Sequence, residues 1–179
     1  MRYQLTLLLV FSLVIWSCEK DDICSEDTET TPRIIIEFYD NDNPDDLKVV
    51  ENIHVQGIGN EVVVNGYNGS TEESTIILPL KTDAFETSFS IYKDFSVNDN
   101  GTPTDSSDDF IEGNEDIITI SYLTEDVYVS RACGYKIIFD EVVITVETDT
   151  DNWIDNVQPV SEDIQTVENE REAHYKIFH

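Results

Sequence analysis

Hydrophobic and polar side chains alternate with a period of two residues along most of the chain from Thr31 onward. In the first such segment Ile34, Ile36 and Phe38 share one face, while Glu37 falls on the other. This alternation is typical of β-strands with one buried face, because successive side chains of a strand point to opposite sides. Comparable segments cover residues 49–55, 61–65, 74–80, 85–93, 117–123, 127–133, 135–139, 142–147 and 174–178.

Turn sequences separate these segments, among them Asn65-Gly66 and Asn68-Gly69. About nine or ten short strands with no long helical period predict an all-β, antiparallel two-sheet β-sandwich of immunoglobulin-like architecture, since a sheet must bury its hydrophobic face on another layer. One region stays open between helix and strand, residues 161–172, where Ile164, Val167 and Arg171 have helical spacing.

The charge balance excludes some partners. The chain of 179 residues carries 38 Asp and Glu against 10 Lys and Arg, a net charge of −28. Such a surface repels phosphate and offers no basic patch, so nucleic acid is not expected as a partner. Disorder is disfavoured as well, because the 40% hydrophobic content is concentrated in β-branched clusters. The length is that of one ordinary domain.

The N-terminus has the layout of a signal peptide. Arg2 precedes an apolar run from Leu5 to Trp16, and no acidic residue occurs before Cys18. The run is shorter than the roughly 20 residues that a permanent membrane-spanning helix needs. Ile15-Trp16-Ser17-Cys18 resembles the lipobox of bacterial lipoproteins, in which the cysteine is acylated and becomes the mature N-terminus. We therefore predict a cleaved leader at residues 1–17 and a lipid anchor at Cys18, with an ordinary secretory signal as the alternative.

The residues that follow predict a location. Cys18-Glu19-Lys20-Asp21-Asp22 resembles the Lys-acidic-acidic signal that sends lipoproteins of the Bacteroidetes to the outer face of the outer membrane. Cell-surface display is thus preferred to the periplasmic face. Residues 18–30 form a charged tether and residues 31–179 a single β-sandwich domain. The expected partners are the membrane, through the lipid, and an outer-membrane protein. Loss of residues 1–17 removes one cation and no acid, which changes the net charge to −29.

Two cysteines remain if Cys18 is acylated, namely Cys24 and Cys133. An even pair in an oxidising compartment predicts a disulfide, which would close a loop of about 110 residues and add about 4–5 kcal/mol in the chain-entropy model. Two reduced, unrelated thiols are the alternative. Metal ligation is disfavoured because the sequence has no Cys-x-x-Cys motif.

Residues 96–116 form a long acidic tract, with seven acids and no Lys or Arg. Ca²⁺ prefers carboxylate and carbonyl oxygens, so a weak calcium site is one interpretation and a solvated loop is the other. The spacing does not fit an EF-hand, because Ser96 and Ser107 occupy the first and last ligand positions. The candidate calcium ligands are Asp99, Asp105, Asp108 and Asp109. No other cofactor is expected.

No catalytic signature is present in the sequence, neither Gly-x-Ser-x-Gly nor His-Glu-x-x-His nor a glycine-rich phosphate loop. His54 alternates with hydrophobic neighbours and is expected to face solvent, while His174 and His179 are expected at the surface and at the chain end. No catalytic or cofactor-binding residue is therefore assigned.

Two further residues have structural interpretations. Arg131 alternates in phase with Val129 and Cys133, so if that face is buried its guanidinium must be paired. Arg131 is therefore a candidate for an ion pair inside the sandwich beside the disulfide, with anion binding in a cleft as the alternative. Trp153 is expected to fill the core or to anchor a loop, and less so to stack on a sugar.

Several segments together carry a resemblance to a known family: Cys18 to Cys24, Thr31-Pro32-Arg33, Ser130 to Lys136, and Ala173 to Phe178 with Glu170. They resemble an uncharacterised lipoprotein family of flavobacteria and related Bacteroidetes, a domain of unknown function. The resemblance implies the compartment, the anchor and the disulfide and adds no catalytic residue. The expected function is that of a lipid-anchored outer-membrane lipoprotein with a binding or structural accessory role. The alternatives are an extracellular hydrolase and a Ca²⁺-stabilised adhesion or glycan-binding module.

Overall fold

A computed structural model describes residues 23–25, 28–161 and 165–179. Within these ranges the protein is all-β. No helix is present there, and so none that is long and apolar enough to cross a membrane. Nine strands are present in the described ranges: β1 Ile34–Tyr39, β2 His54–Gly57, β3 Val63–Asn68, β4 Thr75–Leu78, β5 Glu86–Asn98, β6 Phe110–Ser130, β7 Gly134–Val146, β8 Asn156–Pro159 and β9 Tyr175–Phe178.

The strands form two sheets. The order is β4-β1-β9-β8 in the first sheet and β3-β2-β5-β6-β7 in the second. All neighbours run antiparallel except β1 and β9, which are parallel, with Ile36 opposite Tyr175. The prediction of purely antiparallel sheets is wrong for this pair. A short hairpin forces an antiparallel partner, whereas β9 reaches β1 after the chain has passed through the whole second sheet.

Alternate side chains of both sheets meet in one hydrophobic core. Ile34 and Ile36 of β1 are fully buried, as are Ile118 and Ile120 of β6, and all four belong to the same cluster. Both sheets therefore contribute side chains to one hydrophobic core. Trp153 is buried in this cluster, as predicted.

The three strands β5, β6 and β7 are longer than the sequence indicates, at 13, 21 and 13 residues. In particular, Val97 pairs with Ile111 and Asn98 with Phe110, within the tract expected to be a loop. The two strands at this tip form hydrogen bonds to each other, and neither face of the pair is buried. Such a pair does not require alternating hydrophobic and polar residues, so the sequence gives little sign of it. The acidic loop itself is residues 99–109.

The region left open between helix and strand is neither a helix nor a continuous strand where it is described: Val167 forms one isolated β-bridge, and residues 170–172 are bends. Phe139 and Val167 exchange two main-chain hydrogen bonds, of 3.1 and 2.7 Å, and the Val142 N–H donates to the carbonyl oxygen of Gln165. Residues 165–167 thus lie along the outer edge of β7 and cover part of it. Residues 162–164 lie outside the described residues.

The predicted disulfide is confirmed. Cys24 and Cys133 are bonded, with their Cα atoms 4.9 Å apart, and they are separated by 109 positions in the sequence. Cys133 lies in the turn between β6 and β7, and Gly134 ends that turn with a φ of 73°. The bond therefore joins the N-terminal part of the described chain to the tip of the β6–β7 hairpin.

We expect loss of this disulfide to lower the free energy of unfolding by about 3–5 kcal/mol, because the cross-link restricts the unfolded chain over a long loop. The measurement is urea denaturation of the Cys24→Ser/Cys133→Ser variant against the oxidised parent. Either single substitution should match the double variant, since each removes the same bond. An unchanged midpoint in the double variant contradicts this expectation.

Gly113 in β6 is required by a close approach of the chain. Its φ is 123°, and a Cβ atom at this position would lie 2.9 Å from the carbonyl oxygen of Lys93. It lies beside the register shift between Lys93 and Ser96 of β5. We expect Gly113→Ala to cost on the order of 1–3 kcal/mol in thermal or chemical denaturation.

Gly101 provides the matched control, because its φ is also positive, at 76°, but a Cβ there would meet nothing within 4 Å. Gly101→Ala should therefore destabilise less than Gly113→Ala. Equal losses would mean that the backbone angle alone, and not the contact with Lys93, requires glycine.

Candidate functional site

The ion pairs and the acidic loop lie near the two ends of β6. We call the one at the β6–β7 turn the disulfide end; it comprises Cys24, residues 28–33, residues 128–137 and residues 168–171. The N-terminal segment is held there by side-chain contacts as well as by the disulfide. Thr31 Oγ1 accepts a hydrogen bond of 3.0 Å from the main-chain N–H of Ile137, and Thr28 Oγ1 lies 3.7 Å from Cys133 Sγ.

Ion pairs fasten this segment to two other parts of the chain. Glu29 pairs with Lys136 of β7 at 2.9 Å and also with Arg171. The Lys136 ammonium is well covered, with a side chain 11% exposed, and it also donates to the carbonyl oxygen of Glu168 at 3.0 Å. The hydrogen bond and charge of Lys136, followed by the charge of Arg171, hold the pKa of Glu29 below its usual value.

A second, bidentate pair lies beside the first. Arg33 donates to Glu170 from Nε at 2.9 Å and from Nη2 at 2.6 Å, and its main-chain N–H donates to the same carboxylate at 2.9 Å. These bonds lower the pKa of Glu170. The sequence offered no signal for either network, since the paired residues are more than 100 positions apart and the pairing depends on tertiary structure.

Arg131 lies exposed in the turn, two residues before Cys133. The prediction that it lies inside the sandwich is wrong, because the strand register shifts between Tyr128 and Ser130 and the alternation does not continue through the turn. Its place beside the disulfide is as expected from the sequence. Its role in an ion pair stays a prediction.

Two tyrosines form an exposed pair next to the same turn. Tyr128 and Tyr135 are directly opposite each other in β6 and β7, and their rings make an edge contact with 5.4 Å between centroids. They are 58% and 67% exposed, respectively. The disulfide end thus presents aromatic and cationic side chains to solvent.

The acidic loop is at the opposite end of β6, and its carboxylates are mostly engaged in local turns. Asp108 accepts hydrogen bonds from Thr102 Oγ1 at 2.7 Å and from Asn100 Nδ2 at 3.2 Å. Asp99 accepts from the N–H of Gly101, and Asp105 accepts from both the hydroxyl and the N–H of Ser107. These hydrogen bonds lower the pKa of Asp105 and of Asp108.

Calcium binding by this loop stays a prediction. The four candidate ligands, Asp99, Asp105, Asp108 and Asp109, all lie exposed in one loop. However, across the part of the chain that the structure describes, no group of three or more His, Cys, Asp or Glu side chains is placed to hold a metal ion.

His54 and His174 are buried, contrary to the expectation that they lie at the surface, and His179 at the chain end is buried as well. His54 is 7% exposed because its ring stacks on Phe95, with 4.0 Å between centroids. His179 is 6% exposed and packs edge-on against Phe38 and Trp153. The covering residues come from distant parts of the sequence, so local alternation could not reveal the burial.

His174 is buried with both ring nitrogens satisfied. Nδ1 accepts the main-chain N–H of Ile35 at 2.9 Å, so the ring proton is on Nε2, which lies 3.0 Å from the carbonyl oxygen of Asn169. Burial lowers the pKa of His174 and favours this neutral form. The ring therefore links β1 to the loop that precedes β9. Because the Nδ1 lone pair already accepts a hydrogen bond, the ring is not poised to act as a base.

Asp116 is a further buried acid that sequence reasoning did not single out. Its carboxylate accepts main-chain hydrogen bonds from Trp153 at 3.3 Å and from Ile154 at 2.8 Å. Burial raises its pKa even though these bonds oppose the rise. Nothing in the sequence distinguishes this acid from its acidic neighbours. In the structure, Asp116 holds the loop before β8 against β6.

A cavity of about 420 Å³ lies beside His174 and is lined by residues of the 160–174 segment, among them Val160, Thr166, Glu168 and Glu172. His174 and Asp116, two groups with shifted pKa values, are both bonded to main-chain atoms. Their geometry explains how loops are held to the sheets and supplies no pair of groups for acid–base chemistry.

We expect His179 to make the protein acid-sensitive. Burial, together with the charges of Lys93 and Lys48, lowers its pKa from 6.5 to about 4 in the folded state. Between these two values the unfolded chain binds a proton that the folded protein does not, so stability is complete above pH 6.5 and falls as the pH decreases towards 4. His179→Phe should flatten the pH dependence of the denaturation midpoint in this window.

Tyr135→Phe, at an exposed position, serves as the control and should leave the slope unchanged. A His179→Phe variant with the same slope as the parent would show that His179 is protonated without loss of the fold.

The comparison with known proteins identifies a family. A family model described as a family of unknown function, DUF6452, matches residues 52–179, which is more than half of the chain. No match is found among curated proteins or among solved structures. The matched residues include β2 to β9 and Cys133 of the disulfide. The chain belongs to DUF6452, a family of unknown function.

Proposed function

We propose that the protein is a lipid-anchored lipoprotein of the outer membrane, displayed at the cell surface, with a binding or structural accessory role. The observation that carries this proposal is the disulfide. Two of the three cysteines, Cys24 and Cys133, are used in that bond, so Cys18 is the one cysteine outside it. Cys18 is also the residue at which the lipobox-like sequence ends.

The disulfide supports the compartment as well. Such bonds persist in oxidising environments outside the cytoplasm and are rare within it. A leader that directs export, as residues 1–17 resemble, is consistent with this chemistry. The charged residues that follow Cys18 favour the outer face of the outer membrane over its periplasmic face.

The domain in this proposal is a two-sheet β-sandwich of immunoglobulin-like architecture. Support comes from the core, to which β1 of the first sheet and β6 of the second both contribute fully buried residues. A sandwich presents its loops and hairpin tips at two opposite ends, and long strands such as β6 carry their tips well beyond the core.

An accessory role fits what the polar groups do. His174 and Asp116 hold loops to the sheets, and the ion pairs at the disulfide end fasten the N-terminal segment. The net charge of −29 that remains after loss of residues 1–17 keeps such a domain soluble and repels it from other anionic surfaces. We therefore place its activity in contacts made by its ends.

The experiment is metabolic labelling with palmitate in intact cells. The wild-type protein should incorporate label and sediment with membranes, because two or more acyl chains give stable anchoring. Cys18→Ala should lose both properties.

Cys24→Ser is the matched control: it alters a cysteine six positions away and should retain the label. Undiminished labelling of the Cys18→Ala variant would rule out the anchor. Cleavage of the labelled protein by a protease added to intact cells tests surface display, and protection from it would place the domain on the periplasmic face.

A further inference from the structure

The disulfide determines how far the domain can lie from a lipid anchor. This step rests on the proposed function, in which the acyl chains are attached to Cys18. Six residue steps separate Cys18 from Cys24, and a fully extended chain of that length spans at most about 20 Å. Cys24 is bonded to the turn between β6 and β7. The tip of that hairpin is therefore held close to the membrane surface.

The side chains at this tip are suited to a lipid headgroup layer. Tyr128 and Tyr135 are both more than half exposed, and their rings are in contact. Tyrosine is favoured at the membrane interface because its ring is apolar and its hydroxyl is polar. Arg131, exposed in the turn between them, has a long apolar stem and a charge that attracts phosphate.

The charges around the tip limit which part of the hairpin can dock. Glu29 is paired with Lys136 and Arg171, so it adds little uncompensated negative charge. Glu125 and Asp126 are also exposed on β6, but they lie farther from the turn than Tyr128 does. Asp126 is two residues, about 7 Å, from Tyr128. Contact is thus restricted to the turn and the two tyrosines.

We propose that the tip of the β6–β7 hairpin, with Tyr128, Arg131 and Tyr135, docks on the phospholipid headgroup layer that holds the acyl chains of Cys18. This contact orients the domain. The 21 residues of β6 lead away from the membrane for up to about 65 Å, and the acidic loop is presented at the far end. Its acids are repelled by anionic lipids, which favours the same orientation.

Phe110 offers a matched control for this idea. It is the first residue of β6, it is aromatic, and it is 48% exposed, close to the value for Tyr128. It lies beside the acidic loop at the opposite end of the same strand. A label at Phe110 therefore differs from one at Tyr128 chiefly in position.

The experiment uses the full chain, lipidated and purified, in vesicles of phosphatidylethanolamine and phosphatidylglycerol. A photoreactive phenylalanine analogue replaces Tyr128, Tyr135 or Phe110, and lipid adducts are counted by mass spectrometry after illumination. We expect several-fold more adduct at positions 128 and 135 than at position 110. Two independent positions at the tip guard against the failure of one variant to fold, and an intact disulfide with an unchanged melting curve verifies each.

The outcomes separate this inference from the proposed function. A wild-type protein without acyl chains overturns both. A lipidated protein with equal adduct at Tyr128, Tyr135 and Phe110, or with more at Phe110, overturns the docking and leaves the anchor standing. Cross-links from Tyr128 to a protein in intact cells, with lipid adducts no higher than at Phe110, would assign the tip to a protein partner and also overturn the docking.

Discussion

The bond between Cys24 and Cys133 connects the N-terminal segment to the end of the β6–β7 hairpin, and the neighbouring contacts depend on that connection. Once the segment is held there, Thr31 can satisfy a main-chain N–H of β7 and Glu29 can reach Lys136. These contacts add little individually, because the Glu29 side chain in the ion pair is 46% exposed. Together with the covalent bond they give the segment one defined path along the edge of β7.

The pairing of the few Lys and Arg side chains distinguishes the two ends of β6. The sequence has 10 Lys and Arg, and three of them, Arg33, Lys136 and Arg171, bind carboxylates at the disulfide end. At the other end of β6 the acidic loop has no Lys or Arg, and hydroxyl, amide and main-chain donors stabilise its carboxylates instead. β6 thus connects an acidic loop without Lys or Arg to an end where carboxylates are paired with cations. The two ends of the domain therefore differ in charge.

Buried polar groups follow two patterns. Asp116 and His174 are compensated by main-chain partners, as buried polar groups usually are, and they hold loops in place. Within the described residues, Nδ1 of His54 and both ring nitrogens of His179 are buried without a hydrogen-bond partner. Aromatic rings pack against both histidines, and burial lowers the pKa of His179 to about 4.

The sequence by itself determined the features that depend on local pattern. Alternation along the chain identified the all-β class and most strands, and the count of cysteines identified the pair that forms the disulfide. Only the tertiary structure decided the parallel pairing of β1 with β9, the burial of His54 and His179, the exposure of Arg131 and the pairing of Arg33 with Glu170. The physical reason is range: a strand's faces are encoded in its own side chains, whereas its partners and covering groups come from segments that meet it only after folding.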